Sequence, residues 1–203
     1  MKILGIQPFK GKTLRVDIED GEPVFINADV AAEFNLISNM ELPESALAEI
    51  VRTNDIRRAK ERALYLLDVR DYSYVEMFKK LEVNYPEDVC YEVLTKLAEL
   101  GCINDRRYAE RWAEHLCFNK KFGYYKAREE LKKKGIPLEI IEEALKPYQE
   151  DASERIRELI DKKYARYLCD EKGIGKVKAA LARMGYSFGE INQAIKSFCD
   201  EEE

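Results

Sequence analysis

The sequence predicts a mainly α protein, with three tandem three-helix-bundle repeats forming an elongated array. A small N-terminal three-stranded antiparallel β element with one or two helices is expected before them. Three observations lead there. Polar and apolar residues alternate only within the first 27 residues, helical apolar spacing runs from about Asp55 to the end, and that helical part repeats itself every 50 residues. The expected boundaries are 1–53 for the β/α element, then 54–103, 104–150 and 151–203 for the repeats.

Thr13-Leu14-Arg15-Val16-Asp17-Ile18-Glu19 alternates as a half-buried strand should. Asp20-Gly21 is a hairpin-turn dipeptide, and Pro23-Val24-Phe25-Ile26 reads as the strand that follows it. Met1–Ile6 can pair as the third strand, with Lys10-Gly11 turning the chain. Three short strands are marginal alone, so a helix should cover one face. Ala28–Phe34 and Leu42–Val51 are the segments able to supply it, with the purely helical pattern starting near Thr53-Asn54-Asp55.

Ser73, Gly123 and Gly173 lie 50 residues apart, and each opens a helical pattern that reaches Leu81, Leu131 or Leu181 eight residues later. Gly135-Ile136 and Gly185-Tyr186 close two of those helices, again 50 apart. Ile141, Ala144 and Leu145 recur as Ile191, Ala194 and Ile195, while the first copy places Cys90, Val93 and Leu94 there, one residue early. The expected helices are 55–69, 73–83 and 86–100, then 104–119, 123–134 and 137–148, then 151–168, 173–184 and 187–198. Ser73-Tyr74-Val75-Glu76 has capping-box spacing, and Asn104-Asp105 can cap the first helix of the second unit. Helices this short cannot stand alone in water, so each must bury an apolar stripe against its partners.

Composition narrows the function. Of 203 residues 46% are apolar and 36% charged, against a norm of roughly 25% charged, which suits helices with long solvated faces. The net charge of −5, from 34 basic and 39 acidic residues, excludes a uniformly basic coat but not a local patch. No apolar run reaches the roughly 18–20 residues of a membrane span and Met1–Leu4 lacks a signal core, so a cytoplasmic protein is expected. Cys90, Cys102, Cys117, Cys169 and Cys199 form no CxxC pair, and His115 is the only histidine. They read as reduced, mostly buried thiols, and neither a metal nor a cofactor is expected. Gly11-Lys12-Thr13 imitates the tail of a phosphate-binding loop, but Ile6 stands where its first glycine belongs and a strand follows where a helix is required. His115 lies off the apolar face made by Ala109, Trp112, Ala113 and Leu116, as a solvated histidine would, and Trp112 reads as core. No catalytic residue is assigned.

Charge is uneven along the chain. The four regions carry −4, −2, +2 and −1, so only 104–150 is positive. Within it, Lys120, Lys121, Lys126, Arg128, Lys132, Lys133 and Lys134 face only Glu129 and Glu130. At about 100° per residue, Tyr124, Ala127 and Leu131 share one side of the helix, and Tyr125, Arg128 and Lys132 a neighbouring side. Such a stripe can hold phosphates or acidic side chains, with Tyr125 as a stacking face. The candidate contacts are therefore Lys120, Lys121, Tyr125, Lys126, Arg128, Lys132 and Lys133, with Lys172, Lys176, Lys178 and Arg183 as a weaker set in the last repeat. A plainer reading, a solvated face of snorkelling lysines, fits the same residues.

Leu100-Gly101-Cys102-Ile103-Asn104-Asp105-Arg106-Arg107-Tyr108-Ala109, then Gly123, Ala127–Leu131 and Lys134-Gly135-Ile136, resembles the central signature of the RecX family. Ala63–Leu67, Arg70, Ser73, Glu76 and Leu81 resemble its first repeat, and the N-terminal strands resemble an extension found in one branch. The resemblance implies a non-enzymatic regulator of the RecA recombinase in DNA repair and recombination, and a monomer is expected. It further implies binding along the RecA–single-stranded-DNA filament, damping its ATPase and strand exchange. The acidic balance of this chain makes weak direct affinity for single- or double-stranded DNA the expectation, with protein contact dominating. A helix-turn-helix transcriptional regulator is the alternative; it would aim Asn, Gln or Arg at bases, whereas the last turn of the basic helix here is all lysine. A purely structural adaptor would need no basic patch.

Overall fold

A computed structural model describes residues 1–201, with side chains through Phe198. It contains two compact units: Met1–Asp71 with Met77–Cys102, and Tyr72–Glu76 with the chain from Ile103 onward.

In the first unit β1 (Ile3–Lys10), β2 (Thr13–Ile18) and β3 (Val24–Asn27) form an antiparallel sheet in the order β1-β2-β3. Val16 is in register with Ile6 on one side and Val24 on the other. Gly11 (φ +57°) and Asp20 (φ +57°) take the left-handed positions that the two turns require. Gly11-Lys12 is thus a hairpin turn, which disposes of the phosphate-loop imitation. The inward face of the sheet (Ile3, Val16, Ile18, Ile26) is buried with Val30 and Ala31 of α1 (Ala28–Glu33) and Ile50 of α2 (Glu44–Val69).

Helix α2 corrects the sequence reading, which breaks the chain between Leu42–Val51 and Asp55–Val69. It is one helix of 26 residues running through Thr53-Asn54-Asp55. Those residues favour caps because their side chains compete for backbone groups. Here Asn54 is buried and its side chain is engaged elsewhere: Oδ1 accepts from the Asn27 amide (2.8 Å) and Nδ2 donates to the Phe25 carbonyl (3.2 Å). No proline or glycine interrupts the segment, so the helix continues. Asn54 thereby fastens β3 to α2. Asn54→Ala is expected to lower stability by about 1–2 kcal/mol, because it strands a buried amide and a carbonyl; urea unfolding measures it, and an unchanged midpoint would refute the tie.

The rest of this unit is α4 (Glu87–Glu99), packed on α2, and the end of α3 (Tyr74–Leu81). Val89, Cys90, Val93, Leu94 and Leu97 of α4, Met77 and Leu81 of α3, and Ala59 and Ala63 of α2 are all buried.

The second unit holds α5 (Asp105–Glu114), α6 (Tyr124–Lys133), α7 (Leu138–Leu145), α8 (Ala152–Leu159), α9 (Glu171–Arg183) and α10 (Phe188–Glu201). Two cores are present. One joins Tyr108, Ala109, Ala113, Leu116 and Cys117 to Ala127, Leu131, Ile141, Ala144 and Leu145. The other joins Ala152, Ile156, Leu159 and Ile160 to Val177, Leu181, Ile191, Ala194 and Ile195. Both contain the residues the repeat pairs, Ile141, Ala144 and Leu145 in one and Ile191, Ala194 and Ile195 in the other, and Leu131 and Leu181 are fully buried.

The expected 104–119 and 151–168 helices are interrupted. The first ends in a π turn, His115–Asn119; the second passes from α8 into a π turn, Ile160–Tyr164, and then a 3₁₀ turn, Ala165–Tyr167, while another 3₁₀ turn, Lys146–Tyr148, closes α7. Within the first π turn Leu116 and Cys117 are buried and Phe118 is exposed. Helix α9 starts at Glu171, two residues before Gly173, because Asp170 accepts the Gly173 amide (2.5 Å) as its N-cap. Burial raises the Cys117 thiol to about 11 and also raises Cys90. Cys102 is half-buried and Cys169 exposed; the side chain of Cys199 lies outside the described residues.

One junction occurs twice in this unit, at positions 50 residues apart. The Gly123 amide donates to the Met184 carbonyl (2.9 Å) and the Tyr125 amide to that of Gly185 (3.0 Å), so the start of α6 abuts the end of α9. Equivalently, Ser73 Oγ donates to the Lys134 carbonyl (2.6 Å), joining the segment Tyr72–Glu76 to the end of α6. Fully buried Ser73 also accepts from the Glu76 amide (3.1 Å) in the expected capping box. At both junctions a glycine turns the chain, Gly135 at φ +76° and Gly185 at φ +91°.

Candidate interaction surface

Helix α6 is built to face two ways. Ala127 and Leu131 are fully buried, leaving its charged residues around the remaining circumference. Lys120, Tyr125, Lys132 and Lys133 are exposed, and Lys121, Lys126, Arg128 and Lys134 half-buried. The patch legible in the sequence is therefore present, but most of its charge is already paired.

Lys121 Nζ lies 2.9 Å from Glu158 Oε2 and 4.9 Å from the centroid of the Phe118 ring. Glu130 takes both Lys133 (2.8 Å) and Lys126 (3.6 Å). Arg128 Nε lies 3.3 Å from Glu142 Oε1, whose Oε2 accepts from the Tyr124 hydroxyl (2.6 Å). Lys134 Nζ meets Glu76 Oε1 (2.9 Å) and sits 5.1 Å from the centroid of the Trp112 ring. Among the described residues Lys120 and Lys132 form no ion pair. The titrations follow: hydrogen bonds from Lys133 and Lys121 hold Glu130 and Glu158 below the ordinary carboxylate range. Burial, then the bond to Glu142, lifts Tyr124 to about 12.

Trp112 and His115 are each half-buried, the first against the core as expected and the second beside it. Trp112 is half-buried against the core, under Lys134 and with its Nε1 enclosed and unpartnered. His115 is half-buried 5.2 Å from the Trp112 ring, and its Nδ1 accepts from Asn119 (3.1 Å), so it is no free surface imidazole. Phe118, which no sequence expectation names, is 65% exposed with its ring against Lys121, and Tyr125 is 57% exposed. At about 100° per residue Phe118 lies half a turn from Ala109, so helical spacing alone already places it off the apolar stripe.

The weaker set lies on α9. Lys172, Lys176 and Arg183 are exposed, Lys178 is half-buried, and none of the four forms an ion pair among the described residues. The spacing 172, 176, 183 follows one helix face. The last turn of α9, which carries Arg183, abuts the first turn of α6, which carries Tyr125. Among the described residues no group of three or more His, Cys, Asp or Glu could hold a metal ion, and no helix is long and apolar enough to cross a membrane.

These features define a protein of repeated three-helix modules whose accessible chemistry is cationic helix faces. Family models match each module: the first three-helix domain of RecX at residues 59–97, the second at 104–145 and the third at 149–195. A relative called regulatory protein RecX, from Trichlorobacter lovleyi, is 32% identical over 140 residues, 66% of this chain and 91% of its own. One of the same name from Streptococcus sanguinis is 27% identical over 205 residues, 100% of this chain and 79% of its own. Among solved structures, RecX from Lactobacillus salivarius superposes with a TM-score of 0.67 at 30% identity, covering 71% of this chain and 97% of that one. A second crystal structure of regulatory protein RecX gives 0.72 at 26% identity over 97% and 98%. The chain belongs to the RecX family.

Proposed function

We propose that this protein is a cytoplasmic, non-enzymatic regulator that binds the RecA–single-stranded-DNA filament and damps ATP hydrolysis and strand exchange. Family membership over all three modules carries the reading. The exposed cations of α6 and α9 support it, because a filament of protein and phosphates is a repeating polyanion. Several weak contacts on one chain gain by effective concentration, so no single strong site is required. The protein acts as a monomer, with the α6 face as its main contact and the α9 face as the second.

The purified protein is expected to lower the DNA-dependent ATPase of its cognate RecA at or below equimolar amounts, and to hydrolyse no ATP itself. A RecA rate unchanged by excess protein in low salt would remove this reading. Intrinsic ATPase that survives in carefully controlled preparations would instead reopen the catalytic question.

A further inference from the structure

We propose that Glu130, Glu142 and Glu158 are built-in competitors for the cations on and just before α6, holding this face to a weak grip of shallow salt dependence on the phosphodiester backbone of single-stranded nucleic acid. The inference rests on the reading of α6 as a contact surface and adds what sets its strength.

Three observations carry it. Four of the cations named as contacts, Lys121, Lys126, Arg128 and Lys133, are each within 4 Å of one of these three carboxylates. All four pairings are open to solvent: side-chain exposures run 25% and 41% for Lys121 and Glu158, 39% and 28% for Lys126 and Glu130, 62% and 28% for Lys133 and Glu130, and 32% and 44% for Arg128 and Glu142. The carboxylates come from different elements, Glu130 from α6, Glu142 from α7 and Glu158 from α8, so one helix face is answered from three sides.

Solvent-exposed ion pairs contribute about 0–1 kcal/mol, so they form readily and break readily. A phosphate approaching Arg128 therefore exchanges one anion for another at little net gain, whereas one approaching Lys120 or Lys132 meets a cation with no ion pair among the described residues. Only unpartnered cations release counterions in full on binding a polyanion, and each adds roughly 0.7 to the slope of log affinity against log salt for a single strand. The paired face should behave as a site of about two charges rather than six. That is a physical reason for weak direct binding by a helix so rich in lysine.

The test is fluorescence anisotropy with labelled oligothymidylate across a salt series, using Glu130→Gln, Glu142→Gln and the double variant. Glutamine keeps an acceptor for Tyr124 and the helix backbone intact. The double variant should bind about 3- to 10-fold tighter in low salt, with a slope steeper by roughly 2 for the three cations freed. Glu129→Gln is the control for each single variant: it removes one charge from an exposed position that forms no ion pair among the described residues. Equal gains from Glu129→Gln would make this a net-charge effect and overturn the proposal, as would unchanged or weaker binding by the double variant, or tighter binding at an unchanged slope. A thermal melt of each variant identifies any loss due to misfolding, and Glu158→Gln, on a different helix, then repeats the test through Lys121. A parent that leaves RecA untouched defeats the functional reading alone; absent gains beside intact RecA inhibition defeat this proposal alone.

Discussion

Gly185→Ala should lower the stability of the second unit by about 2–4 kcal/mol. Two costs combine. Gly185 stands at φ +91°, where an L-residue loses roughly 1–2 kcal/mol. An added Cβ would also overlap the amide nitrogen and Cβ of Lys126, which are backbone and near-backbone atoms that cannot swing away. Relieving that overlap means shifting the start of α6 off the end of α9, which stretches the Gly123–Met184 and Tyr125–Gly185 hydrogen bonds. Overpacking of this kind costs about 1–3 kcal/mol. For a unit of about 100 residues the midpoint should fall by roughly 10–20 °C. Trp112, the single tryptophan, lies in this unit and reports its melting. Gly175→Ala is the counter-test: it sits inside α9 with open space around it, so alanine should raise stability by about 0.5–1 kcal/mol. Equal melting of Gly185→Ala and parent would show that the junction yields freely.

The same glycine shows what the sequence could reveal. Gly135 and Gly185, 50 apart and each followed by an apolar residue, mark two helix ends without any structure, because a C-terminal glycine is a local signal. Leu81, Leu131 and Leu181 are equally legible, since burial of a helix stripe is written in its spacing. The Ser73–Glu76 cap and the i,i+4 pair of Lys126 with Glu130 are also local and visible. Where the outcome depends on partners distant in the chain, the sequence reading fails. Asn54 reads as a helix boundary until its bonds to Asn27 and Phe25 are seen. Arg128 reads as a free cation until Glu142, 14 residues away, is placed beside it, and Lys134 until Glu76, 58 away, is. The second role of Ser73, holding the Lys134 carbonyl, belongs to the same kind. Local signals thus gave the modules, while the state of charge on the candidate surface depends on folding.

Those pairings choose the charge-reversal experiment. Arg128→Glu with Lys132→Glu is the natural choice from the sequence stripe, but it would set a new carboxylate against Glu142, so a loss of function could be a local disruption. Lys120→Glu with Lys132→Glu is the cleaner variant, because both side chains are exposed and neither forms an ion pair among the described residues. Folding should be unaffected, as neither contributes to the core beneath α6. The change replaces two attractions with two repulsions on the face that is proposed to meet the filament. Half-maximal inhibition of RecA ATPase should therefore need about tenfold more protein or beyond in low salt, and the difference should shrink as screening rises. Lys79→Glu with Lys80→Glu is the matched control, reversing two exposed lysines in a region of net charge −2, where a smaller effect is expected. Single Lys→Ala changes should do little, since exposed contacts are individually weak. Lys176→Glu with Arg183→Glu asks the same question of α9, whose cations form no ion pair among the described residues. If that variant loses inhibition and Lys120→Glu with Lys132→Glu does not, the main contact lies on α9 and α6 is a solvated face. If neither loses it, the cationic faces do not hold the filament, and the apolar and acidic surfaces of the first unit become the place to look.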